Sequence, residues 1–193
     1  MRTILGSCSG VTLLSGMLAV VAAAPSGQTK SATEEFTAIF ANISNVGRVG
    51  AVPVNIRITR WTPVDEHEQL MAILADKGTD GLVRALQDGK SVGSIGTPTS
   101  LAYDLRYARQ EKLEDGGRKI ILMTDRPMDT WERLSASVIR DYPITWIEMK
   151  LDAKGTGQGS MSIAARLRLL GDILGIEDFA NQPARLNEIK KVK

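Results

Sequence analysis

Val52, Val54, Ile56 and Ile58 alternate with Pro53, Asn55, Arg57 and Thr59, the two-residue period of a strand with one buried face. The same period returns at Met161, Ile163, Ala165, Leu167 and Leu169, set against Ser162, Ala164, Arg166 and Arg168. These patterns predict strands over 52–61 and 160–170. Shorter apolar or alternating runs predict further strands over 36–43, 91–96, 100–112, 118–126, 144–152, 173–179 and 185–192. Asn45–Gly50 supplies a glycine-containing loop between the first two strands. Glu114-Asp115-Gly116-Gly117 makes a hairpin turn, because glycine tolerates positive φ there. The run Asp152–Gly159 reads as a flexible hairpin connection, and residues 127–141 as a long loop with a helical turn near Trp131.

Between the second and third strands the period changes. Thr62 is placed to cap a helix, Pro63 suits its first turn, and Asp65 and Glu66 favour the positive end of its dipole. Leu70, Met71, Ile73 and Leu74 give one apolar face before Gly78. A second short helix follows with Leu82, Val83 and Leu86 on one side and Gly89 after its end. The expectation is an α+β domain, mainly antiparallel β with about 8–9 strands and this helical pair inserted between strands 2 and 3. The sheet is expected to be curved, either a barrel or a two-layer sandwich. Closure would remove unpaired strand edges.

Residues 4–24 are uncharged and mostly apolar, follow Arg2, and end in Val21-Ala22-Ala23-Ala24. Charge, hydrophobic centre and small residues form the layout of an export signal, cut near 22–24. Residues 25–33, small and polar, read as a flexible leader, and 34–193 as a single β-rich domain. The expected location is periplasmic or secreted, with no stable membrane span once the signal is removed. The single cysteine, Cys8, falls inside the signal, so the remaining domain is expected to be disulfide-free. Too little apolar sequence precedes Cys8 for a lipid-attachment signal. With 24 basic and 22 acidic side chains, no phosphate-neutralising surface is apparent, and no nucleic-acid partner is expected.

The chemistry of the chain is sparse. His67 is the only histidine and stands among Asp65, Glu66 and Glu68, which reads as a solvated helix start rather than a metal or acid–base site. The Asp152–Gly159 run places Lys154 where a calcium loop needs an acid, and a strand follows it where a dinucleotide fingerprint needs a helix. No catalytic residue, metal site or cofactor is predicted. Asn42-Ile43-Ser44 matches a glycosylation acceptor but falls at a predicted strand end.

One constellation remains, Asp104, Arg106, Tyr107, Asp125 and Arg126. On a strand Asp104 and Arg106 share one face, and Tyr103, Leu105 and Tyr107 the other. The neighbouring strand is apolar on both faces (Ile120, Ile121, Leu122, Met123), so these charges are partly covered and must be paired. Two readings follow: a polar pocket for a small anionic or amphipathic ligand, or a cross-strand ion-pair ladder that holds register.

Asn42-Ile43-Ser44-Asn45-Val46-Gly47-Arg48, Arg60-Trp61-Thr62, Tyr107-Ala108-Arg109, Gly116-Gly117-Arg118, Thr124-Asp125-Arg126-Pro127 and Asp141-Tyr142-Pro143 together resemble a family of exported bacterial proteins with no established activity. The resemblance runs from about Phe36 to the end and implies export, but no substrate, cofactor or catalytic residue.

The function expected is a non-enzymatic module that binds a small molecule or lipid-like ligand. The alternatives are a protein-interaction or envelope-assembly factor, with a partner protein docked on the helical pair or an edge strand, and a metal-independent hydrolase using carboxylates.

Overall fold

The computed structural model describes residues 33–42, 50–128, 140–170 and 173–192. Their elements run β1 (Glu34–Asn42), β2 (Gly50–Ile58), α1 (Val64–Asp88), β3 (Gly93–Gly96), β4 (Tyr103–Leu105), β5 (Tyr107–Lys112), β6 (Arg118–Met123), β7 (Ile144–Leu151), β8 (Thr156–Leu170), β9 (Ile173–Asp178) and β10 (Ala184–Lys191). The expected signal, the leader up to residue 32 and the expected turn near Trp131 lie outside the described residues.

The strands pair antiparallel in the order β4-β3-β2-β1-β10-β8-β7-β6-β5, with β9 also on β8. The two ends of this order are consecutive in sequence. β4 pairs with β3 and β5 with β6, while the intervening Arg106 donates its backbone N–H to the Met123 carbonyl at 2.8 Å. One bent run, Tyr103–Lys112, thus joins both ends into a nearly closed, barrel-like sheet. No described helix is long and apolar enough to cross a membrane.

Alternation fills the lumen. Phe36, Ile56, Ile95, Leu105, Ile120, Leu122, Ile147 and Met149 are all buried in one cluster. A second cluster lies outside the barrel, where Leu70, Leu74, Leu82 and Leu86 of α1 cover Tyr107, Met123, Ile144, Trp146, Ala165 and Leu167. β8 serves both. Met161 and Ile163 face the lumen, whereas Ala165 and Leu167 lie under α1. The face predicted to be continuous from Met161 to Leu169 is therefore split. A register shift against β7 between Ile144 and Trp146 supplies the extra residue that reverses the side chains.

The helical segment between β2 and β3 is the single element Val64–Asp88, and its break falls where the first helix was expected to end: within it only Gly78 leaves helical geometry, at φ 66° and ψ −165°. A side chain is strained in that region, so the break falls on glycine, and helix resumes at once without a connecting loop. Thr62 does not cap this helix; the N-cap is Pro63, with no side-chain cap bond. Thr62 instead exchanges bonds with β5: its N–H reaches the Ala108 carbonyl at 2.8 Å, and its Oγ1 accepts the Ala108 N–H at 3.0 Å. Finally, β8 starts at Thr156, not at 160. The turn before it is ordered by Asp152, whose carboxylate accepts the N–H groups of Lys154 and Thr156 and the Thr156 hydroxyl.

Candidate functional site

Inward-facing Leu105 and Ala108 leave only two residues between them where strict alternation needs one or three. The bend between β4 and β5 therefore turns both Arg106 and Tyr107 away from the lumen. This overturns the expected sharing of a face by Leu105 and Tyr107. Arg106 projects beside the C-terminal end of α1, and Tyr107 beneath its N-terminal arm.

Arg106 gathers three of the five residues singled out from sequence into one ion-pair group. Its Nε donates to Asp125 Oδ2 at 3.1 Å, its Nη2 lies 3.4 Å from Asp104 Oδ2, and its Nη1 donates to the Gly89 carbonyl at 3.1 Å. Arg126 does not join them; its guanidinium lies over the Tyr103 ring, 5.1 Å from the centroid. Tyr107 is apart as well, buried in the outer cluster with its hydroxyl 2.9 Å from His67 Nδ1.

Arg60, on the segment after β2, holds the other side of the same helix end. Its two terminal nitrogens bond both Glu66 oxygens at 2.8 and 3.2 Å, and Nη2 also reaches the Lys90 carbonyl at 3.2 Å. The last turn of α1 carries no basic residue of its own. Arg60 and Arg106 therefore bring positive charge from elsewhere in the fold to carbonyls that follow the negative end of the helix. Arg60 Nε is buried without a protein acceptor.

These residues border a groove of about 690 Å³ on the outside of the barrel. Leu70, Ile73, Ala85 and Leu86 give it apolar surface, and Arg60, Glu66, Gln69, Asp88, Lys90 and Arg106 give it polar surface. The size falls among small-molecule sites, typically about 300–1,000 Å³. The lumen differs sharply. The gap left between Phe40, Val54, Met128, Met161 and Ile163 holds about 10 Å³, barely the space of one water. A second groove, about 710 Å³, lies between the β5–β6 and β7–β8 turns. At its border Glu34 accepts hydrogen bonds from Arg118 and pairs with Lys191 at 3.2 Å. Burial pushes the Glu34 carboxyl up, but the bonds and charge of Arg118 and Lys191 together hold it below its ordinary value.

His67 is not simply solvated. Partial burial lowers its pKa, and Arg109 adds to the effect, with Glu68 and Glu111 opposing. The Tyr107 phenol is pushed up by burial, against the nearby positive charge of Arg109. Among the described residues no group of three or more His, Cys, Asp or Glu is placed to hold a metal ion. Asn42 is fully buried, which closes its amide to glycosylation in the folded chain.

Sequence reasoning reached Asp104, Arg106 and Asp125 through the rule that covered charges pair. It missed Arg60 and Glu66. Their signal was available: an arginine just before a helix, followed by a first-turn acid six residues on. Comparison of the chain with family models, curated proteins and solved structures gives no match.

Proposed function

We propose that this is an exported, non-enzymatic binding module, and that it takes a small amphipathic ligand bearing an oxyanion in the groove between α1 and the Arg106 bend. The export part is supported by the charge–apolar–small layout of residues 2–24 and by the resemblance to exported bacterial proteins. The binding part is carried by one observation: a groove of about 690 Å³ that sets two prepositioned guanidinium groups beside an apolar wall. Both arginines are held by carboxylates and helix-end carbonyls, so little side-chain entropy remains to be lost on binding. A guanidinium has five N–H donors, and each of these retains donors beyond its protein bonds. Packing of the lumen favours this outer groove over a lipid-like ligand held inside the barrel.

Native mass spectrometry of the protein purified from its own cell envelope tests the reading. The expected result is a retained small molecule that is lost from Arg60→Gln, Arg106→Gln double-variant protein of unchanged fold. Bare protein would overturn it, and a stoichiometric protein partner would replace it with an interaction role.

A further inference from the structure

We infer that the His67–Tyr107 contact is an acid-sensitive latch that holds the N-terminal arm of α1 on the barrel. His67 stands in the first turns of α1 and Tyr107 at the start of β5, 40 residues apart and 2.9 Å from Nδ1 to hydroxyl. The two rings pack at a centroid distance of 5.9 Å. Tyr107 is 3 % exposed, so its hydroxyl has little access to water as a substitute partner.

The polarity of this contact follows from the two groups themselves. A phenol O–H is a better donor than a neutral imidazole N–H, and an imidazole nitrogen is a better acceptor than a phenol oxygen, so the phenol proton is directed to His67 Nδ1. Arg109 lies two residues along β5 from Tyr107, and its positive charge bears on both groups. Neutral His67 accepts that proton with Nδ1 while Nε2 carries the ring hydrogen. Protonated His67 has two N–H groups and no acceptor. The phenol proton then loses its partner in a buried site, and a second positive charge arrives beside Arg109.

The surrounding charges do not cancel this. On α1 itself Glu68 favours the charged imidazole, and from β5 Glu111 does so too. Glu111, however, is already paired with Lys119 of β6 at 2.9 Å. Burial and Arg109 prevail, and the imidazole titrates below its ordinary value. The helical arm after Gly78 has a different anchor, the Thr79 hydroxyl on the Leu167 carbonyl at 2.6 Å, which does not titrate. Acid therefore loosens the arm before Gly78 selectively. That arm carries Glu66, Gln69, Leu70 and Ile73 of the groove wall, so the latch would regulate the groove. This consequence rests on the binding reading, whereas the latch does not.

Amide hydrogen exchange of the full chain, corrected for intrinsic rates and compared at about pH 7.5 and pH 5, needs no ligand. In wild-type protein, exchange over residues 64–77 rises several-fold at the lower pH while β7 stays protected. His67→Gln, which keeps a hydrogen-bonding side chain without titration, removes the acid response. Tyr107→Phe shows the faster exchange already at neutral pH, with little further change in acid. An equal acid response in wild type and His67→Gln, or none in wild type, overturns the latch. If His67→Gln fails to fold, Tyr107→Phe and an NMR titration of the wild-type imidazole decide. A pKa at or above 6.5, the ordinary value, overturns it as well.

Discussion

The barrel lumen and the layer beneath α1 are both buried, yet they are built differently. The lumen is filled from nearly every strand by side chains such as Ile120, Leu122, Ile147 and Met149, each at 0 % exposure. Hydroxyls near it are tied down, as where Thr145 Oγ1 donates to the Ile163 carbonyl at 2.7 Å and Thr145 N–H donates to Thr124 Oγ1 at 2.9 Å. The outer layer is thinner, set by one helix on four strands, and it is rimmed by Arg60, His67, Arg106 and Tyr107. Here the nearly closed sheet pairs its strands and its interior is filled by apolar side chains. The helix laid on the outside leaves a seam, and Arg60, Glu66, His67 and Arg106 lie along it.

Truncation separates the two regions most strongly. Ile147→Ala in the lumen is expected to cost about 2–5 kcal/mol, with every probe of urea unfolding shifting together. Leu74→Ala in the outer layer falls at the low end of that range, since a helix can settle onto a smaller residue more easily than a closed sheet can. Its signature is early loss of α1 protection in hydrogen exchange while the strands hold. A single transition with identical losses in both variants would mean that the regions are one cooperative core.

Backbone tolerance gives a smaller test. A Cβ at Gly93 would stand 2.0 Å from the Arg57 carbonyl oxygen, so Gly93→Ala must push β3 off β2, at about 1–3 kcal/mol. Gly78→Ala meets no neighbour but sits at φ +66°, and is expected to cost about 1–3 kcal/mol through strain. Thermal melts measure both. Gly93→Ala lowers barrel stability, whereas the strain of Gly78→Ala is relieved by re-forming α1 locally, visible as altered exchange around residue 78.

Acid distinguishes the regions by where each responds. His67 titrates lower in the folded chain than its ordinary 6.5. Its stabilising effect is complete above that value and declines as pH falls through the folded pKa. Glu34 is likewise lowered, from 4.5, so its contribution to the barrel persists to lower pH and is lost as pH drops through its own folded value. Stability measured against pH should therefore fall in two stages, the upper one absent from His67→Gln and the lower one diminished in Glu34→Gln. The smallest effect belongs to Glu188, at φ 50° in a bulge of β10. Glu188→Gly relieves a left-handed cost of about 1–2 kcal/mol against a glycine entropy cost of about 0.5–1 kcal/mol, a net gain that a small rise in melting temperature would register.

Much of the barrel was legible because alternation is a local signal. Val52–Ile58 carries its own face assignment, and the Glu114–Gly117 turn its own hairpin. What alternation does not carry is its own interruption. The bend at Arg106 and the bulge after Ile163 each reverse side chains through pairing with a distant strand, and nothing in Tyr103–Tyr107 or Met161–Leu169 marks the spot. The same reason hid half of the groove. Arg106 and Asp125 were found because covered charges need partners, but Arg60 meets Glu66 and the Lys90 carbonyl only once α1 has folded back. Thr62 was misjudged by proximity: a helix follows it in sequence, while its bonding partner Ala108 lies 46 residues away.

The most direct measurement is an amide NMR spectrum of the protein titrated with small-molecule extract from the cells that make it. Shifts are expected at Arg60, Gln69, Gly89 and Arg106, with Ile120, Ile147 and Met149 unmoved. Shifts centred on those lumen residues, or none anywhere, would contradict the binding reading.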